Sequence, residues 1–237
     1  MFLCQASLFA QNTTDTVPVA NDFKVKSFIV PASLIVVGSL GVDGLLTPLN
    51  KQVNEKMDDI RCRKFHADDH IQYLPVVSVF GLSLAGAQAK HNYYERILLT
   101  ATSWVVMGVA VNGVKYAVKE KRPDTFARNS FPSGHTATAF MGAELVRLEY
   151  GDESIWYSVA AYSVASAVGI MRIYNERHWL MDVVAGAGFG ILSARIGYWL
   201  LPYIKGFTDK IFDKKFSLAI QPVDEEGQMG IGLSYIF

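Results

Sequence analysis

Cysteine is scarce, and the two present, Cys4 and Cys62, stand far apart in no metal-ligand spacing. Neither a disulfide framework nor a zinc site can be built from them, and both read as incidental thiols. Net charge is missing too, because 22 Lys+Arg balance 22 Asp+Glu. No global field would recruit nucleic acid, so a charged ligand must be held by local clustering. What abounds is apolar residue, at 51% of the chain with a mean hydropathy of +0.20. That is high for a soluble protein and modest for one made only of membrane spans. The 237 residues hold one sizeable domain or several spans with short connections.

Met1 to Gln11 is apolar and ends in small residues, as the end of a secretory signal would, but it lacks a basic leading region. It reads as a signal remnant or a disordered tail, followed by a polar linker from Asn12 to Asp22. Beyond it, several stretches lack charge for close to the ~20 residues of a bilayer crossing. They are Ile71 to Ala89, Ile97 to Val114, Ser154 to Met171, and Val183 to Ile204 if Arg195 faces protein, water or the interface. Two weaker stretches are Ser27 to Leu46, with Asp43, and Ser133 to Tyr150, with Glu144, Arg147 and Glu149. The expectation is an all-α bundle of about six membrane-embedded helices over 27–205, after an N-terminal segment over 1–26. The alternative is a soluble bundle whose buried helices are apolar all round. Basic residues nearly balance on the two sides of a six-span arrangement, so charge does not orient it. In the C-terminal segment, 206–237, Phe216 to Val223 and Met229 to Phe237 alternate around Asp224-Glu225-Glu226-Gly227, which predicts a small β-hairpin.

Three clusters bordering the apolar helices hold most of the unusual polar residues. In the first, Lys115 and Arg122-Pro123 stand seven residues apart, so two helical turns could project both cations from one face. Alone, such residues are more often interfacial anchors. The second is Pro132-Ser133-Gly134-His135 ahead of an Ala-rich helix. Ser133 suits an N-cap and Gly134 permits close approach, making an anion site beside His135. The third runs from Arg172 to His178 and Asp182, the last two at i and i+4, where a carboxylate on the same helix face can hold the imidazole tautomer. A surface histidine with a helix-stabilising partner is the plainer alternative. Together the clusters offer cations, an amide-lined helix start and two histidines, as phosphoryl transfer requires. No metal or other cofactor is called for, because acidic pairs of the kind that hold magnesium are absent from them. His66, His70 and His91 lie outside the clusters and read as non-catalytic.

The spacings K-x6-RP, PSGH and R-x5-H-x3-D resemble the signature of the type-2 phosphatidic acid phosphatase superfamily, with Met171 where that family usually has serine. The resemblance implies that His178 attacks phosphorus, Asp182 orients it, and His135 protonates the leaving oxygen. Lys115, Arg122, Ser133, Gly134 and Arg172 would hold the phosphate. It further implies a lipid phosphate substrate (lipid A, phosphatidylglycerophosphate, phosphatidic acid or polyprenyl diphosphate) and a multi-pass bacterial membrane protein whose site faces the periplasm. The stretch Asp68-Asp69-His70-Ile71-Gln72-Tyr73-Leu74-Pro75 is similar to bacterial envelope phosphatases, including lipid A phosphatases. The same signature occurs in soluble acid phosphatases and vanadate-dependent haloperoxidases, and a non-catalytic anionic-lipid-binding protein would also suit the basic site.

Overall fold

Apolar runs bounded by Gly, Pro and Asn become helices, and their ends are set by local chemistry. The computed structural model describes residues 25–64, 66–125, 127–213, 217–225 and 228–236, with backbone alone from 212 onward. The N-terminal tail and its linker, 1–22, fall outside them. Among the described residues the helices are α1 (Val25–Ser39), α2 (Thr47–Ile60), α3 (Asp68–Ile71), α4 (Leu74–Leu84), α5 (Tyr93–Val118), α6 (Gly134–Tyr150), α7 (Ile155–Tyr174) and α8 (Leu180–Asp213). Six of the eight fall on the six apolar stretches. The short polar helices α2 and α3 lie in the connection between the first two. Strands β1 (Ser217–Glu225) and β2 (Gln228–Ile236) pair antiparallel, Ser217 opposite Ile236 through Glu225 opposite Gln228.

Helix α6 is the centre, with Ala137, Ala139, Met141, Ala143, Leu145 and Tyr150 all fully buried. It packs on α8, α7 and α4, while α8 also carries α1 and α5 on its other faces. Small residues permit this. A Cβ on Gly190 would fall 2.3 Å from the Ala137 carbonyl oxygen, and one on Gly186 would fall 2.6 Å from that of Ser133, so α8 rests directly on the α6 backbone.

Among the described residues two helices are long and apolar enough to cross a membrane: α5 and the stretch Leu180–Ile211 of α8. The others differ from the expected spans for physical reasons. The run from Ile71 to Ala89 yields only the 11 residues of α4, because Gly86 at φ 98° turns the chain where an L side chain is strained. Helix α6 carries Glu144, whose buried carboxylate meets Arg147 at 2.7 Å and Arg195 of α8 at 2.6 Å. Arg195 thus faces protein, and this ion pair ties α6 to α8 inside the apolar bundle.

Candidate active site

The site is built where α5, α6 and α8 come together with the α3 turn. Helix α5 ends at Val118, and its C-cap Lys119 takes the left-handed conformation at φ 54°. Residues preceding proline avoid helical geometry, and Arg122 lies in the loop before Pro123. The two cations are therefore not stacked on one helix face, as the seven-residue spacing suggested. They converge through the loop instead: Lys115 Nζ donates to the carbonyl oxygens of Asn129 at 2.6 Å and Ser130 at 3.3 Å, and Arg122 Nε donates to Asn129 Oδ1 at 2.8 Å.

Ser133 is the N-cap of α6, its Oγ accepting from the Thr136 amide. The first amides of a helix have no intrahelical acceptor. Those of Gly134 and His135 meet none among the described residues, and a Cβ at Gly134 would find no atom within 4 Å. Open space beside free amides and a positive helix terminus is an anion site by construction.

His178 and Asp182 also differ from the expected arrangement, because α8 starts only at Leu180 and His178 precedes it. A shared helix face does not align them. Asp182, in the first turn, reaches back: its Oδ2 accepts the Trp179 amide at 2.9 Å and the Ser130 hydroxyl at 2.5 Å, and lies 3.4 Å from His178 Nδ1. The Ser133 amide donates to the Asp182 carbonyl at 3.0 Å, locking the start of α8 to the start of α6. His178 is 1% exposed. Burial pulls its imidazole down to about 4, the Asp182 carboxylate opposing this and the Lys115 and Arg172 cations adding to it. It is neutral at physiological pH, with Nδ1 facing Asp182 and Nε2 without a hydrogen-bond partner among the described residues.

Arg172, at the end of α7, is held by acids that sequence reasoning left without a role. Its Nη1 donates to Asp68 at 2.6 Å and to Asp69 at 3.2 Å, while its Nε is buried with no hydrogen-bond partner among the described residues. Asp69 Oδ1 also meets His135 Nε2 at 2.9 Å. Burial works against the ionised Asp69, but the His135 hydrogen bond and the Arg172 charge hold its carboxyl below the ordinary range. Asn175 Nδ2 donates to Asp68 Oδ1 at 3.2 Å. The four-residue α3 thus delivers two adjacent carboxylates to the arginine and histidine of separate motifs. Their signal was visible as the Asp68-Asp69 stretch, but nothing local says which elements it meets. Ser130 was likewise missed, as was Glu120, which lies among basic residues that read as interfacial anchors.

Two hydrogen-bonded groups thus meet at the start of α6: Lys115, Arg122, Ser133 and Asp182, with His178 beside it, through Asn129 and Ser130, and Arg172 with His135 through Asp69, Gly134 standing between Ser133 and His135. Beside them opens a cavity of about 660 Å³ whose wall includes Asn50, Lys51, Lys119, Glu120, Arg128 and Trp179.

Residues 96–205 match the family model described as the PAP2 superfamily. The chain is 45% identical over 158 residues to the lipid A 1-phosphatase of Porphyromonas gingivalis, covering 64% of this chain and 36% of that protein. It is 40% identical over 74 residues to the bacitracin transport permease protein BcrC of Bacillus licheniformis, covering 31% of this chain and 34% of that one. The chain therefore spans about a third of the length of these two relatives. A solved structure, a transmembrane PAP2 type phosphatidylglycerolphosphate phosphatase from Bacillus subtilis, superposes with a TM-score of 0.51 at 21% identity. The superposition covers 77% of this chain and 97% of that one, and at this identity the likeness is one of fold.

Proposed function

We propose, from the match of residues 96–205 to the PAP2 superfamily model, that the chain belongs to that superfamily and is a metal-independent lipid phosphatase working through a phosphohistidine on His178. The observation that carries this reading is the buried, neutral His178, oriented through Nδ1 by Asp182 and placed with the cations Lys115 and Arg172 close by. Nε2 attacks phosphorus, and the alkoxide leaves with the proton of His135. His135 then takes a proton from water, whose oxygen attacks the phosphohistidine, releasing inorganic phosphate and restoring both rings. Lys115, Arg122, Arg172 and the start of α6 at Ser133 and Gly134, with the free amides of Gly134 and His135, stabilise the charge that spreads over the equatorial oxygens.

A membrane substrate is supported by the surface. Exposed large apolar side chains recur on every long helix but the central α6, among them Ile29 and Val36 of α1, Val77 of α4, Val105 and Val109 of α5, Trp156 and Ile170 of α7, and Phe207 of α8. Water does not favour such a belt, and lipid does. We read the helical region 27–205 as a multi-pass bacterial membrane domain with its site toward the periplasm. Among the candidate substrates, the name of the 45% identical relative favours lipid A phosphorylated at position 1. A headgroup larger than a phosphate is supported by the cavity beside the site, whose wall carries the cations Lys51 of α2 and Arg128 of the loop before α6.

The test is phosphate release from lipid A, phosphatidylglycerophosphate, phosphatidic acid, undecaprenyl diphosphate and a soluble phosphomonoester, by detergent-extracted protein in excess EDTA. Preferential turnover of one lipid is expected, with His178→Ala and His135→Ala folded but inactive. Wild-type rates in either variant would sink the mechanism, and equal turnover of the soluble ester would favour a general acid phosphatase.

A further inference from the structure

Glu120 stands just beyond the end of α5, between the residues of the first motif, and neither that motif nor the mechanism above gives it a task. Its backbone carbonyl accepts the Ser130 amide at 3.0 Å, and the Ser130 hydroxyl in turn donates to Asp182 Oδ2. This brings the Glu120 side chain within hydrogen-bonding reach of Asp182. Asp182 Oδ1 and Glu120 Oε2 are both buried with no donor among the described residues. Two ionised carboxylates in such contact repel each other, and each orphaned oxygen adds its own desolvation cost. A single shared proton removes both problems.

We infer that Glu120 is a positioning residue, a carboxylic acid that donates its proton to Asp182 and so pins the carboxylate that orients the nucleophile. The inference rests on the phosphohistidine reading and extends it one residue outward. With Oδ2 taken by Ser130 and Trp179 and Oδ1 by Glu120, Asp182 cannot swing away from His178 Nδ1, and it keeps one negative charge to balance the imidazolium that forms on attack. The groups facing Glu120 divide by sign. Asp182 from α8 and Asp43 from the turn after α1 favour its protonated form, and Lys115 from α5 opposes it. Lys51, Lys119, Lys121 and Arg128 share the cavity wall with Glu120, which gives its proton a route to solvent. Burial first, and the Asp182 charge next, push the Glu120 carboxyl up to about 9. Above that pH Glu120 ionises, Asp182 is repelled, and the alignment of His178 is lost.

The experiment compares kcat against pH for the wild type, Glu120→Gln and Glu120→Ala, alongside their infrared spectra. The wild type should show a protonated-carboxyl band at pH 7 that titrates near pH 9 and is absent in both variants. Its kcat should fall over the same range. Glu120→Ala should lose at least roughly tenfold in kcat with KM little changed, the scale of one misplaced hydrogen-bonding group. Glu120→Gln, whose amide supplies the donor without the titration, should recover most of that loss and extend activity to higher pH. A missing carboxyl band, or an alkaline fall unchanged in Glu120→Gln, would overturn the inference. Because the band needs no turnover, it is read even if the proposed reaction fails. If Glu120→Ala does not fold, the glutamine variant decides alone.

Discussion

At the scale of single residues, the site works by controlling which atoms hold protons. The nucleophile role proposed for His178 is favoured by its burial, which, reinforced by nearby cations, keeps it neutral. Its folded pKa is about 4, so the nucleophilic form persists above that value and is lost as pH falls through it. The acid limb of kcat/KM should accordingly lie near pH 4, well below that of an ordinary histidine, and a limb at pH 6 to 7 would contradict this. Asp182→Asn keeps the shape but presents an amide to Nδ1, stabilising the wrong tautomer. A fall in kcat on the order of 10³-fold or more, with little change in KM, is expected from steady-state kinetics. Asp68 is the buried partner of Arg172, with side-chain exposures of 1% and 5%. Asp68→Ala would strand that guanidinium, with Asp69 left as the acid beside it among the described residues, and should destabilise the fold by about 3 kcal/mol. A lowered melting temperature in detergent checks this.

Among the elements, the α6–α8 seam matters most, because it sets the start of α6, with Ser133 and His135, against the start of α8, with Asp182. The seam depends on Gly190 lying on the α6 backbone. Gly190→Val would force β-branched bulk against the Ala137 carbonyl, costing about 1–3 kcal/mol or more and pulling the two motifs apart. Activity and thermal stability should drop together. Gly206 on the same helix has open space around it, so Gly206→Ala should be neutral or slightly stabilising, by up to about 1 kcal/mol. Helix ends are also where sequence spacing misled. Lys115 to Arg122 and His178 to Asp182 have helical separations, yet α5 stops at Val118 and α8 starts at Leu180. In both cases a loop, held by Asn129 or by the reach of Asp182 back to Trp179, replaces the expected helix face.

For the whole molecule, the belt of exposed apolar side chains around a polar network at one end of the bundle leads to expectations about partitioning and inhibition. The protein should sediment with membranes and need detergent for extraction, and recovery in the soluble fraction would argue for a soluble bundle. Phosphate release should persist in EDTA and be blocked by vanadate, a mimic of the pentacoordinate phosphorus. Loss on chelation would point to a metal in the reaction.

By itself the sequence determined the helical class, the places of the six apolar helices and the eight residues proposed for the site. Apolar periodicity, N-cap chemistry and motif spacing are local properties, and they survive into the fold. Tertiary structure decided the partners. That Asp68 and Asp69 meet Arg172 and His135, that Glu144 meets Arg195, and that Glu120 reaches Asp182 depends on contacts between residues up to 104 positions apart. No short-range pattern encodes such pairings. They follow only once small residues let α8 settle on α6 and bring the helix ends, with their loops, to one place.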